Sequence, residues 1–287
     1  MFYFIQFIVT AKVVKMSDSQ SLLTKYPHLR TLLKENNEKK KEDIAPPRVT
    51  RPRDPQPAPA ARVSAEQLCA DSANADNDDW LCFVIKETER EQMGELKRWL
   101  ELNKPSKVRR SSGVGWISVM TSKVDEGEKE DVDLDDAKAE WESWVEERTM
   151  ETVNSLAVKY NDTAGKWLLH ISSEYVDKVW YRLALALKRG DLSPPVMSIK
   201  VSPKSEEENS HVIVVHNANY RDTEQVMRAE HLLRSVGVRG DLHYKPDIFS
   251  NLGIYRNNVW GFRPSIYISK TTKANTVSKI TVTGTGE

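Results

Sequence analysis

The chain of 287 residues balances 42 basic against 42 acidic side chains, and 39% of its residues are hydrophobic. This neutral balance argues against a general polyanion-binding protein, which usually carries a basic excess, while the length allows one large domain with a tail or two small domains. The two cysteines, Cys69 and Cys82, are too few for a disulfide framework and form no zinc-binding pattern. We therefore expect a cytoplasmic protein with no metal or other cofactor.

Residues 1–78 are predicted to be a largely disordered N-terminal tail. Residues 1–15 contain an apolar run that lacks the basic start of a signal peptide and is too short to span a bilayer. We interpret them as an upstream extension or a weak interfacial segment, with secretion or anchoring as the less favoured alternative. Leucines at helical spacing predict a short amphipathic helix near residues 20–36. The proline-rich, charged stretch that follows offers few apolar groups to offset the entropy of ordering.

Residues 79–270 show the alternation of strand and helix patterns typical of a folded domain. Short apolar runs predict strands at 80–87, 115–121, 166–171, 194–202 and 211–216. Helical periodicity predicts helices at 88–102, 134–159, 172–189 and 222–236. A hairpin loop is expected over 203–210, and residues 271–287 are expected to form a polar C-terminal tail. The arrangement predicts an α+β fold, with a curved, mainly antiparallel sheet and helices packed on one face.

Two features of the helices are specific enough to test. Trp141 and Trp144 fall on the apolar stripe of the 134–159 helix, so we expect core packing rather than a ligand platform. Asp222 and Gln225 form a capping-box pattern at the start of the last helix, and Gly237 is predicted to end it.

The stretch LGIYRNNVWGFRPSIYIS, residues 252–269, combines aromatic, cationic and amide side chains. Tyr255 and Trp260 offer planes on which a base can stack, and Arg256 and Arg263 can neutralise its phosphates. This combination favours a surface that binds a nucleotide or RNA.

A structural interpretation of the same stretch stays open. Asn257 and Asn258 can set a turn through bonds between their side chains and the backbone. An arginine of the stretch can stack on Trp260 and pair with Asp247. The sequence alone does not decide between the two interpretations.

Catalytic and metal sites are not predicted. The basic residues at 107–110, beside the glycine-containing SSGVG, suit phosphate, but the motif lacks the P-loop pattern and a solvated loop is favoured. His170, His211 and His216 are not combined with acidic residues at metal-ligand spacing, and no nucleophile motif is present. We therefore expect that the protein is not an enzyme.

Two resemblances extend these predictions. Residues 165–237 resemble the cap-binding translation initiation factor 4E fold, with Gly165, Lys166, Trp167 and Trp180 at matching positions. The segments KPDIFSNLGIYRNN and WGFRPSIY are similar to the signature of the uncharacterised basophilic-leukaemia-expressed protein family, over roughly residues 79–270. The resemblances imply a cap-binding-like fold, with Trp167 and Trp180 as core residues.

The cap-binding factors hold a methylated guanine between two tryptophans and its phosphates with basic side chains, and this chain retains little of that set. Trp116 falls roughly at the first sandwich position, and Lys200 and Lys204 lie near the phosphate-binding position. The other positions carry Leu156, Ser202 and Val215. We therefore do not expect high-affinity cap binding.

The resulting prediction is a non-catalytic RNA- or nucleotide-binding protein without strong cap specificity. The alternative is a protein-interaction scaffold that kept the fold without a ligand site, with protein partners in place of RNA. We expect a monomer that does not associate with membranes. The predicted nucleic-acid-binding residues are Trp116, Lys200, Lys204, Lys245, Tyr255, Arg256, Asn257, Trp260 and Arg263.

Overall fold

The computed structural model describes residue 70 and residues 74–75, 78–86, 92–122, 134–271 and 278–283. All of them belong to one compact unit, Ala61–Glu287. The predictions for residues 1–69, including the helix near 20–36, lie outside the described residues. Within these ranges, no helix is both long enough and apolar enough to cross a membrane.

Eight strands and six α-helices make up the described part of the chain. The strands are β1 (Asp79–Ile85), β2 (Val114–Thr121), β3 (Gly165–Ser172), β4 (Val196–Val201), β5 (Ser210–Asn217), β6 (Leu242–Pro246), β7 (Tyr267–Thr271) and β8 (Ser278–Val282). The helices are α1 (Gln92–Leu102), α2 (Leu134–Ser143), α3 (Met150–Lys159), α4 (Ser173–Arg189), α5 (Thr223–Ser235) and α6 (Asp247–Asn251). Residues 271–287 were predicted to be a polar tail, but part of this segment forms β8, which pairs along its length with β7.

The strands form a single sheet in the order β1-β2-β4-β5-β3-β6-β7-β8. Every neighbouring pair is antiparallel except β1 and β2, which are parallel and are connected in sequence through α1. The prediction of an α+β fold with a mainly antiparallel sheet is confirmed.

The hydrophobic core lies between the sheet and the helices, on one side of the sheet. Alternate residues of the central strands, such as Trp167, Ile199 and Val215, are buried there. Trp141 and Trp180 enter the same cluster from α2 and α4. The prediction that Trp141, Trp167 and Trp180 are core residues is confirmed, and so is the placement of the helices on one face.

The prediction of a single helix over residues 134–159 is wrong, because the chain forms two helices, α2 and α3, with a break between them. Thr149 begins α3: its side chain accepts a hydrogen bond from the Thr152 backbone, and the Thr152 side chain accepts one from the Thr149 backbone. The Arg148 guanidinium donates to the carbonyls of Trp141 and Glu142 at the end of α2. These bonds satisfy helix-end groups that an unbroken helix would have paired internally.

The predicted N-cap of α5 is present, whereas the predicted capping box is only half formed. Asp222 accepts a hydrogen bond from the Gln225 backbone at 3.0 Å, which confirms it as the N-cap of α5. The Gln225 side chain donates to the Asp222 carboxylate instead of accepting from the Asp222 backbone, so the second bond of a capping box is replaced. Gly190, directly after α4, and Gly237, two residues beyond α5, adopt left-handed backbone conformations.

Candidate nucleic-acid interface

The side of the sheet away from the helices carries lysine and aromatic side chains. Lys166 of β3 is paired with His216 of β5 and Lys245 of β6, and Lys200 of β4 is paired with Val214 of β5. Directly paired residues point to the same side of a sheet, and core residues precede and follow most of these in their strands. We call this surface the basic face. It comprises the side chains of Trp80, Trp116, Lys200, Val214, Leu168, Lys166, His216 and Lys245.

At the β1–β2 end of the basic face, one lysine lies over two tryptophan rings. The Lys200 Nζ is 4.3 Å from the ring centroid of Trp116 and 4.6 Å from that of Trp80, within cation–π range of both. Trp80 is 37% exposed, whereas Trp116 is 8% exposed because Ala75 packs against it. A Cβ at Gly115 would lie 2.0 Å from the Ala75 carbonyl oxygen, so this close approach of the chain requires glycine. The ring open to a base is therefore that of Trp80.

Trp80 was not predicted as a site residue. It begins an apolar run and was interpreted only as part of a strand. Its contact with Lys200 depends on the parallel pairing of β1 with β2, which sets Trp80 opposite Trp116. No local pattern indicates that pairing, because the two strands are separated by α1.

At the other end, an ion pair is nearly enclosed beneath the surface. The Lys166 Nζ donates to Asp247 Oδ1 at 2.5 Å and to Ser250 Oγ at 3.2 Å. The Nδ1 of His216 lies 3.7 Å from the other carboxylate oxygen of Asp247. The side chains of Lys166 and Asp247 are only 17% and 20% exposed, so Asp247 is the counter-ion of a largely desolvated lysine.

The protonation of this group follows from the balance of burial and charge. Burial alone would raise the pKa of Asp247, but Lys166 and His216 outweigh it and the net pKa lies well below the usual range. Burial alone would lower the pKa of Lys166, but Asp247 outweighs it and the net pKa is raised. Burial lowers the pKa of His216, and Asp247 only partly opposes this. At neutral pH the group therefore holds an ammonium, a carboxylate and a neutral imidazole.

Asp247→Asn is expected to lower the free energy of unfolding by about 2 kcal/mol at neutral pH, because Lys166 loses its charged acceptor. The Asp247 pKa is lower in the folded state than the ~3.9 of an unfolded chain. The carboxylate therefore stabilises the fold above about pH 4, and this contribution is lost as the pH falls below that value. Urea unfolding of both proteins at about pH 7 and about pH 3 should show the difference shrinking by about 1 kcal/mol. A difference that is the same at both pH values would contradict the assignment.

A second lysine–aromatic contact lies beside this ion pair. The Lys245 Nζ is 3.5 Å from the ring centroid of Tyr255, which follows α6 in the chain. The next residue, Arg256, is exposed. The pKa of His170, on β3, is lowered first by partial burial and then by the charges of His243 and Arg256. Tyr255 and Arg256 therefore border the basic face at its β3–β6 end.

Trp260 lies on the opposite side of the sheet from these residues. Its ring packs edge-on against Trp141 with a centroid distance of 5.2 Å, and the Arg148 guanidinium is 5.8 Å from its centroid. An arginine does stack on Trp260, as the structural interpretation proposed, but it comes from outside the stretch. Asp247 pairs with Lys166 and His216 rather than with an arginine. The geometry gives Trp260 a packing role.

The remaining predicted site residues are more dispersed. Asn257 adopts a left-handed backbone conformation with φ of 66°, and Asn258 donates to two backbone carbonyls across the turn. The predicted turn is therefore present. Lys204 lies just beyond β4, where its backbone bridges to Arg109, and Arg263 is exposed.

Three other positions that correspond to cap ligands, those of Leu156, Ser202 and Val215, contribute no ligand-binding side chain to the basic face. Leu156 and Val215 are core residues on the helix side. Ser202 is buried, and its hydroxyl accepts a hydrogen bond from the Val212 backbone at 3.0 Å. Across the described ranges, no cluster of three or more histidine, cysteine, aspartate or glutamate residues could hold a metal ion.

Solved structures of translation initiation factors show a partial likeness to this chain. Ascaris suum eIF4E-3 with m2,2,7G cap is 12% identical with a TM-score of 0.27, over 30% of this chain and 52% of that one. Caenorhabditis elegans eIF4E-3 with the 4E-binding protein Mextli is 13% identical with a TM-score of 0.28, over 32% and 57%. Schistosome eIF4E with m7GpppA and 4E-BP is 14% identical with a TM-score of 0.29, over 35% and 56%. The matched segments thus span about half of each of those chains.

A family model gives a more extensive match. The model described as basophilic leukemia-expressed protein Bles03 matches residues 14–253 of the 287. The matched range contains β1 to β6 and all six helices, and with them every residue of the basic face. The family resemblance predicted from the sequence motifs is confirmed. The chain belongs to the Bles03 family of basophilic leukemia-expressed proteins.

Proposed function

We propose that this protein binds single-stranded RNA or a nucleotide, without catalysis, through the basic face. The observation that supports this proposal most directly is the position of the Lys200 ammonium over the rings of Trp80 and Trp116. An aromatic ring stacks on any base, and an adjacent ammonium neutralises the phosphate next to that base. The exposed ring of Trp80 and the Lys200 charge are thus a minimal site for one nucleotide.

The charges of the rest of the basic face favour the same ligand. Lys245 lies over the Tyr255 ring, and Arg256 is exposed and acts electrostatically on His170 of β3, so basic side chains also border the other end of the face. A polyanion is attracted to such a surface even though the net charge of the chain is zero. The proposed contacts supply charge and stacking, which serve binding rather than bond cleavage.

The proposal includes no preference for a methylated guanine. Leu156 and Val215, at two positions where the cap-binding factors hold their ligand, are core residues here. The monomeric state and the cytoplasmic location remain expectations from the sequence. The alternative is a protein-interaction scaffold. If no RNA binds in the following experiment, the result favours this alternative.

Binding is tested with a fluorescently labelled oligouridine of about eight nucleotides. Trp80→Ala is expected to weaken binding by about 1–3 kcal/mol, with little change in its salt dependence, because a stacking contact is lost. Lys200→Gln is expected to weaken binding and to lower the slope of log affinity against log salt by roughly 0.7, the value for one phosphate contact on a single strand. Fluorescence anisotropy over a salt series measures both quantities.

Two substitutions on α4 are matched controls. Tyr175 is 55% exposed and Lys178 is exposed, and α4 packs on the helix side of the sheet. Tyr175→Ala and Lys178→Gln remove the same types of side chain and should leave both affinity and salt slope unchanged. Binding that is insensitive to Trp80→Ala and Lys200→Gln in folded protein would place any RNA site elsewhere.

A further inference from the structure

The two lysine–aromatic contacts of the basic face lie far apart. Trp116 is on β2 and Lys245 is on β6, and the sheet order places β4, β5 and β3 between these strands. Four steps at a strand spacing of ~4.8 Å separate the two ends by about 19 Å. A stacked strand of nucleic acid rises ~3.4 Å per nucleotide, so this separation corresponds to about six stacked nucleotides, and to fewer in an extended strand.

Each end carries the same pair of chemical groups. Trp80 and Lys200 provide an exposed ring and a cation at one end, and the half-buried ring of Tyr255 and the exposed Arg256 provide a ring and a cation at the other. A ligand with one base and one group of phosphates satisfies only one of these ends. The arrangement instead matches the repeat of a single strand, in which base and phosphate recur.

On the row of the basic face that contains Lys200, the two middle strands carry no charged side chain, and the charge of Lys166 on β3 is compensated by Asp247. Val214 of β5 and Leu168 of β3 are paired with each other there, between Lys200 of β4 and His243 of β6. Such a surface packs against sugars or bases and neutralises no phosphate. Phosphate neutralisation is therefore concentrated at the two ends.

We infer that the basic face binds a single RNA strand of at least about four nucleotides that runs across the sheet from β2 to β6, with one base on Trp80 and another at Tyr255. This inference rests on the proposed function and specifies its ligand as an oligonucleotide rather than a mononucleotide. Phosphates near the two ends are neutralised by Lys200 and by Arg256. The strand crosses the β-strands at a steep angle, because the two ends lie on different strands of the sheet.

The test is a length series of uridine ligands: the monophosphate and oligomers of about two, four and eight nucleotides. Affinity is expected to rise by about tenfold or more between the dinucleotide and the octamer, because only the longer strand reaches both ends. In Tyr255→Ala most of that advantage should disappear, so that the octamer binds the variant about as tightly as the dinucleotide does. Arg256→Gln should reduce the length advantage as well. Because Arg256 is exposed, this variant is expected to fold and can serve as the test if Tyr255→Ala does not fold. Tyr175→Ala should retain the full advantage.

The possible outcomes separate this inference from the proposed function. If no uridine ligand of any length binds, the proposed function is overturned, and the inference with it. If the monophosphate binds as tightly as the octamer, the proposed function stands and the inference is overturned. The inference is also overturned if the octamer still binds more tightly than the dinucleotide in folded Tyr255→Ala and Arg256→Gln variants. In that case the end of the basic face at Tyr255 and Arg256 makes no contact with the RNA strand.

Discussion

Replacing Trp167 by alanine is expected to lower the free energy of unfolding by about 3–5 kcal/mol, the usual cost of emptying a large aromatic site in a core. Trp167 is fully buried at the centre of the sheet. Its indole N–H donates to the Val226 carbonyl of α5 at 3.0 Å, and its ring meets Tyr244 edge-on with a centroid distance of 5.1 Å. The side chain thus joins β3 to both α5 and β6, and alanine replaces none of these contacts.

Urea denaturation measures this cost. The midpoint should fall for Trp167→Ala and stay close to the native value for Tyr175→Ala, which removes an aromatic ring from the surface of α4. Trp167→Phe retains part of the buried volume but loses the hydrogen bond to Val226, so its midpoint should lie between the two. A native midpoint for Trp167→Ala would contradict the position of the core.

Most of the regular elements could be predicted from the sequence because their signals are local. The strand around Trp167 carries an apolar pattern of its own, and α5 carries its cap at Asp222 within three residues. The break between α2 and α3 was missed because the apolar stripe of Trp141 and Trp144 continues across it to Leu156. Its cause is a set of hydrogen bonds from Arg148 and Thr149, which periodicity does not register.

Prediction was less complete for the candidate site, because the site is assembled from distant parts of the chain. Lys200, Lys245 and Tyr255 were predicted from side-chain type, and the structure places them on one face. Lys166 and Asp247 are 81 residues apart, so nothing local indicates their ion pair. Trp260 was predicted together with Tyr255, but the turn between them sends the two rings to opposite sides of the sheet.

Arg234→Met is also expected to lower the free energy of unfolding by about 3–5 kcal/mol, because it leaves a buried carboxylate without its partner. The Arg234 side chain is 5% exposed and donates to Glu230 at 2.8 Å. It also donates to the Ser269 hydroxyl and to the Gly240 carbonyl, each at 2.8 Å. The Ser269 hydroxyl donates in turn to Glu230 at 2.6 Å. This network ties α5 to β7.

A double-mutant cycle measures the interaction itself. Glu230→Leu combined with Arg234→Met removes both charges, so the double variant should be more stable than the sum of the two single losses predicts. Strict additivity of the losses would mean that Arg234 stabilises the fold through its bonds to Ser269 and Gly240 and not through Glu230.

The same variants separate stability from binding. The network lies on the helix side, because Ser269 is paired with the core residue Leu242. Arg234→Met should therefore lower stability while the affinity of each folded molecule for oligouridine stays native. Lys200→Gln should show the reverse, with weaker binding and a smaller loss of stability than Arg234→Met, because cation–π contacts with Trp80 and Trp116 contribute less than a buried ion pair. If Arg234→Met weakened binding in fully folded protein, the RNA site would have to extend beyond the basic face to the helix side or depend on the position of β7.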